Sequence, residues 1–180
     1  MITIAIDPGA KGGICFTGAT PGTVEAYKMP ATPKDACDII TTAKEIAEMN
    51  NLPIRCVMEQ VGGYIGVAQP GSSAFNFGRG FGNLEGFLIC LGIPFELVPP
   101  QRWQKAVGLN FPPVHKGDYA GMSAPPTAIE RKRVASLNAK RKRDNKTMIK
   151  EMAQRLYPKL KVTLETADAL MILQYALKTP

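Results

Sequence analysis

The sequence predicts an α/β fold, a mixed five-stranded sheet flanked by helices, and three observations carry that reading. Three short apolar runs near the N-terminus are separated by glycine turns. Two more strand-like runs, 54–59 and 95–98, alternate with helical segments, and the chain closes on an apolar helix. A three-strand meander followed by alternating helix and strand gives antiparallel pairs on one side of a sheet and crossover connections on the other.

Residues 2–7, 12–17 and 23–29 read as the first strands, with Pro8-Gly9 and Lys11-Gly12-Gly13 marking one turn and Pro21-Gly22 the next. Pro33 to Asn50 reads as an amphipathic helix with Ala36, Ile39, Ile40, Ala43, Ile46 and Ala47 on one stripe. Asn50-Asn51 and Pro53 end it before strand 54–59, and Gly62 to Gly71 reads as a glycine-rich loop. Ser72 or Ser73 is placed to cap a helix running to about Leu91, with Phe75, Phe77, Phe81, Leu84, Phe87, Leu88 and Leu91 as its apolar members. Gly78, Gly80 and Gly82 each weaken that helix by roughly 1 kcal/mol relative to Ala, and would permit close approach of another backbone. Phe75 and Phe77 are expected in the core.

Gly92-Ile93-Pro94 precedes strand 95–98, and Gln101 to Val107 reads as a short helix. The stretch Asn110 to Lys140, with Pro112-Pro113, Gly117, Gly121 and Pro125-Pro126, reads as a long loop of the kind that is usually functional or disordered. The expected organisation is one domain, 1–180, with a basic loop insertion at about 110–143. A helix from Lys146 to Leu156 ends at Tyr157-Pro158, and the last helix spans about Thr166 to Lys178.

Composition narrows the function. The chain has 180 residues, 45% hydrophobic and 21% charged, which is ordinary for a soluble globular protein. It shows no apolar run of the roughly 18 residues that a membrane span needs, and no signal-peptide pattern at its start. It therefore reads as a cytoplasmic protein, bacterial or in host cytoplasm if phage-encoded. The four cysteines (Cys15, Cys37, Cys56, Cys90) form no CxxC pair, and His115 is the single histidine, so zinc clusters and hydrolytic triads are poor readings. Net charge is +7, and nine Lys/Arg against three acids between Phe111 and Lys146 account for +6 of it. A basic segment on a near-neutral body is the footprint of a polyanion binder.

Four acids stand where strands end or a helix begins. Asp7 follows Ile2-Thr3-Ile4-Ala5-Ile6, Glu59 follows Ile54-Arg55-Cys56-Val57-Met58, and Glu165 and Asp168 open the final helix three residues apart, on one face. Any one of them alone reads as a turn residue, a cap or an exposed acid. Asp168, between Ala167 and Ala169, is harder to explain that way, because an unpaired buried carboxylate is costly. Together they offer hard oxygen ligands suited to Mg²⁺ or Mn²⁺.

The order of these segments resembles the ribonuclease H-like superfamily and, within it, the RuvC-type Holliday junction resolvases, including phage and chloroplast relatives. The resemblance rests on Ile4-Ala5-Ile6-Asp7-Pro8-Gly9, Met58-Glu59-Gln60, the Phe/Gly-rich segment 74–92, Gln101-Arg102-Trp103-Gln104-Lys105, Lys146 with Leu156-Tyr157-Pro158, and Glu165-Thr166-Ala167-Asp168-Ala169-Leu170. It implies that Asp7, Glu59, Glu165 and Asp168 are the metal-binding carboxylates, holding two Mg²⁺ per site with Mn²⁺ as a substitute. It also implies that Lys146 and Lys105 contact phosphate. Glu165 stands where many relatives have Asp. Gly62 stands where several relatives place an aromatic wedge, with Tyr64 the nearest aromatic.

The expected chemistry is two-metal phosphodiester hydrolysis, with Asp7 bridging the ions. The expected substrate is branched DNA, especially four-way junctions. Arg131, Lys132, Arg133, Lys140, Arg141, Lys142 and Arg143 would neutralise phosphates, Arg102 lies in the same basic motif as Lys105, and Tyr64 would stack on unpaired bases; Trp103 reads equally as a stacking residue and as part of the core. Paired nicks on a two-fold junction call for a symmetric homodimer, here through Phe77, Phe81, Leu84 and Leu88. The competing reading is an inactive branched- or single-stranded-DNA-binding protein of the same fold. The segment Ile4 to Gly9 also resembles the first phosphate loop of actin-like phosphotransferases, which need two such lobes.

Overall fold

The computed structural model describes residues 1–62, 71–112, 114 and 127–179. Strands β1 (Ile2–Asp7), β2 (Gly13–Thr17), β3 (Val24–Lys28), β4 (Ile54–Glu59) and β5 (Phe95–Val98) form one sheet in the order β3-β2-β1-β4-β5. The β1–β2 and β2–β3 pairs are antiparallel; β1–β4 and β4–β5 are parallel. The helices are α1 (Pro33–Met49), α2 (Gly71–Cys90), α3 (Pro100–Ala106), α4 (Ala128–Leu156) and α5 (Leu164–Lys178). The expected α/β sheet with flanking helices is the observed one.

Alternation along the strands divides the core between the two faces. Ile2, Ile4, Ile6, Ile14, Phe16, Cys56 and Met58 pack with Ala36, Ile40, Ala43 and Ala47 of α1 and Leu84 and Leu88 of α2. Ala5, Cys15 and Val57 face the other way, onto Trp103 of α3, Ile149 and Ala153 of α4, and the length of α5. α5 is buried continuously from Thr166 to Leu173 and lies against β1 and β2. Gly13 makes that docking possible: a Cβ there would stand 2.6 Å from the Tyr27 carbonyl and 3.0 Å from that of Glu165.

Two expectations are corrected. The basic segment is largely helix, not loop: α4 begins at Ala128, 18 residues before Lys146. Thr127 Oγ1 accepts from Glu130 N at 3.2 Å while the Glu130 carboxylate takes the Thr127 N–H at 2.7 Å, a reciprocal cap. The buried residues of α4 are Ile149 and Ala153, so its first half shows no apolar stripe for periodicity to find. Its Ala, Lys and Arg content favours helix without one.

The second correction concerns α2. Leu84 and Leu88 are buried in this chain's own core and cannot face a partner, whereas Phe75, expected inside, is 67% exposed. Phe81 is partly buried against the same core. Gly78, Gly80, Gly82 and Gly86 face open space within the chain.

Among the described residues no helix is long and apolar enough to cross a membrane. The glycine-rich loop with Tyr64, and the part of the 110–127 stretch that includes His115, lie outside the described residues.

Candidate active site at the carboxyl edge of the sheet

β1 and β4 are adjacent and parallel, and their ladder runs from Ile2 beside Ile54 to Ile6 beside Met58. Asp7 and Glu59 each come one residue after the last pair, so both acids leave the same edge of the sheet side by side. Both share the parity of Ala5 and Val57, which places them on the α5 face. This edge is where the strand order reverses, with the meander on one side and crossovers on the other, a position at which open α/β sheets commonly bind ligands. α5 brings Asp168, 7% exposed, to the same place.

The electrostatics show that the three acids sense one another. Burial first, then the charge of Asp168, pushes Asp7 up to about 6, against the pull of Lys146 and the Gly9 amide. Burial, then the charge of Asp7, pushes Glu59 up to about 7; Asp168 adds to this, while the Trp103 hydrogen bond and Lys146 oppose it. Lys146, from α4, pairs with Asp168 Oδ2. Burial draws its ammonium down, but Asp168, Asp7 and Glu59 together outweigh that and hold its pKa above the ordinary lysine value. Asp168 Oδ1 is buried with no hydrogen-bond partner.

Gly12 holds the turn against Asp7: a Cβ there would lie 2.7 Å from Asp7 Cγ. Gly9 N donates to Asp7 Oδ1 at 3.3 Å. Trp103 Nε1 donates to Glu59 Oε2 at 2.8 Å. Of the two readings of Trp103, core residue and stacking platform for DNA bases, burial decides for the core: the side chain is 1% exposed.

Glu165 has different surroundings from the other acids. It is partly exposed, and its pKa is lowered chiefly by the Thr163 hydroxyl, with Lys28 and Lys11 adding to the effect. It is not among the charges acting on Asp7 or Glu59. Although it shares a helical face with Asp168, Glu165 is partly exposed where Asp168 is buried. Among the described residues no group of three or more His, Cys, Asp or Glu side chains is arranged to hold a metal ion as it stands.

A divalent cation nevertheless fits the donor set. The set supplies hard carboxylate oxygens, one of them buried and unpartnered, and two acids destabilised by burial and mutual repulsion. Lys146 provides the counter-charge in its absence.

The remaining basic candidates are at the surface. Lys105 and Arg102 are exposed on α3, the Arg102 guanidinium lying 6.0 Å from the Tyr175 ring centroid. Arg131, Lys132, Arg133, Lys140, Lys142 and Arg143 are exposed along α4, and Arg141 donates to the Pro112 carbonyl at 2.9 Å.

Among solved structures, that of T. thermophilus RuvC in complex with a Holliday junction substrate matches 99% of this chain and 96% of its own, at 15% identity and a TM-score of 0.53. The fold is that of RuvC. A second Thermus thermophilus RuvC structure matches at 15% identity over 97% of this chain and 92% of that one, with a TM-score of 0.47. No protein-family model and no curated protein sequence matches the chain. The RuvC-like, ribonuclease H-like fold accounts for the mixed sheet and its flanking helices, which bring Asp7, Glu59 and Asp168 to one edge.

Proposed function

We propose that this protein is a metal-dependent endonuclease that nicks branched DNA, four-way junctions above all, by phosphodiester hydrolysis. The observation that carries the reading is the gathering of Asp7, Glu59 and Asp168, with the unpartnered Asp168 Oδ1, beside Lys146 at the carboxyl edge of β1 and β4. A RuvC-like fold supports it, since the T. thermophilus RuvC structure holds a Holliday junction substrate.

Asp7, Glu59 and Asp168 would hold the cations, Mg²⁺ or Mn²⁺, and Glu165 would add a fourth oxygen donor. Two such ions, when bound, activate a water nucleophile and neutralise the leaving oxyanion. Lys146, half exposed and paired to Asp168 through one oxygen, is positioned to exchange that carboxylate for a phosphate oxygen.

The first half of α4 carries the DNA. From residue 128 to 146 it has eight basic residues against two acidic ones, a net +6, on a helix with no buried side chain before Ile149. At 1.5 Å per residue those 19 positions extend roughly 28 Å. Exposed Lys105 and Arg102 on α3 extend the basic surface. Such contacts give affinity without base readout.

A four-way junction is nicked on opposing strands, so the working unit of this proposal is a homodimer. The exposed face of α2, with Phe75 and the open glycines, replaces Leu84 and Leu88 as the surface for it. The cytoplasm is the proposed setting.

The test is cleavage of four-way, three-way, flap and linear DNA in Mg²⁺ and in Mn²⁺, with Asp7→Asn as control. Metal-dependent nicking of junctions, lost in Asp7→Asn while junction binding persists, is expected. Tight junction binding with no nicking in either metal would replace the nuclease by a DNA-binding protein of the same fold.

A further inference from the structure

Trp103 is the largest fully buried side chain, and it carries one polar atom into the core. An indole N–H sealed from water needs an acceptor, and a backbone carbonyl would serve. Here the acceptor is a carboxylate oxygen, Glu59 Oε2, at 2.8 Å.

The backbone around this bond is built to hold it. Glu59 pairs with Val98 across β4 and β5, and Gln60 N donates to the Val98 carbonyl at 2.8 Å. The chain then turns at Pro99-Pro100 into α3, where Arg102 N and Trp103 N both donate to the Pro99 carbonyl, at 3.0 and 3.4 Å. Five residues after it leaves Glu59's strand neighbour, the chain has returned with the indole N–H on the carboxylate. Backbone and side chain are therefore fixed by the same β5–α3 connection.

We propose that Trp103 is a positioning residue: by holding Oε2 it orients the Glu59 carboxylate and commits Oε1 to a divalent cation shared with Asp7 and Asp168. The inference rests on the metal-dependent reading above. A carboxylate with both oxygens free could swing toward the Lys146 ammonium or grip a cation two-handed; one held by the indole is fixed in orientation, with Oε2 already accepting one hydrogen bond and Oε1 unengaged by the indole. Carboxylate ligands are generally held by such partners, whose removal typically costs ~10–100-fold in metal affinity or activity.

Trp103 is the single tryptophan in the chain, which allows a clean test. Replacing tryptophan throughout by benzothienylalanine keeps the fused ring and removes only the N–H. Trp103→Phe serves as the genetic counterpart, and Glu59→Gln as the ligand control. Mn²⁺ affinity is measured by calorimetry on the DNA-free protein, junction binding in chelator, and kcat and KM for junction nicking in Mn²⁺. The isosteric protein is expected to bind Mn²⁺ ~10–100-fold more weakly and to lose kcat, with KM and metal-free junction binding within about twofold of the unmodified protein. Unchanged Mn²⁺ affinity in the isosteric protein, with affinity lost in Glu59→Gln, overturns the role of Trp103 and leaves the nuclease reading standing. An unmodified protein that takes up no Mn²⁺ overturns both, and Glu59→Gln is then without effect as well.

Discussion

Lys146 on α4 reaches across to Asp168 on α5 and gives a buried carboxylate its one ionic partner among the described residues. The Asp168 side chain is 10% exposed and that of Lys146 47%, so the pair is anchored on one side and open to solvent on the other. Lys146→Met leaves Asp168 beside Asp7 and Glu59 with no counter-charge. A fully buried pair broken this way costs ~3–5 kcal/mol. Screening at the open lysine reduces the expected loss to about 1–2 kcal/mol, read as a shift in the urea midpoint of the metal-free protein. Saturating Mn²⁺ should recover most of it, because the cation takes over the charge.

Stability should fall as pH rises through the acidic range in the absence of metal. Asp7 titrates at about 6 in the fold against an ordinary 3.8, and Glu59 at about 7 against 4.5. Between about pH 4 and pH 7 the native state therefore binds more protons than the unfolded chain, and the linkage slope is negative. The penalty is complete once pH exceeds both folded values. Thermal melts of chelated protein across pH 5–8 are expected to show a declining midpoint, and added Mn²⁺ to flatten the decline. A midpoint that rises steadily over that range would contradict the burial of these two acids.

Much of this arrangement was legible in the sequence. Alternating apolar runs and glycine turns located all five strands, and Asp7 and Glu59 stood out because each closes such a run. The pairing of β1 with β4 then turned two distant acids into neighbours. Other features were not legible for physical reasons. Nothing local links Trp103 to Glu59, 44 residues away, because the bond exists only once β5 and α3 have folded. Glu165 and Asp168 share a helical face, yet Asp168 is buried and paired with Lys146 while Glu165 stays partly exposed. The start of α4 could have been read: Thr127 and Glu130 form the capping signature, but the missing apolar stripe concealed the helix behind it.

The basic half of α4 should govern affinity without contributing to folding. Arg131, Lys132 and Arg133 are exposed, and among the described residues no ion pair engages them. Changing all three to Gln is expected to leave the thermal midpoint unchanged. The slope of log affinity against log salt for junction DNA should fall by about 2–3, near 0.9 per lost phosphate contact. An unchanged salt slope would take this part of the helix away from the DNA.

Gly12→Ala and Asp7→Asn should abolish the same activity while moving stability in opposite directions. A Cβ at residue 12 would crowd the Asp7 backbone and stand 2.7 Å from Asp7 Cγ, leaving no room unless the turn or the carboxylate moves. Overpacking of this kind typically costs ~1–3 kcal/mol, and displacing Asp7 should lower nicking at least ~100-fold. Asp7→Asn keeps the shape and removes one of three repelling charges, so the metal-free protein should become more stable even as nicking is lost. Paired urea titrations and nicking assays on the two variants separate the effects. If Asp7→Asn proved less stable than the unsubstituted protein in chelator, repulsion among Asp7, Glu59 and Asp168 would not be the dominant feature of the empty pocket.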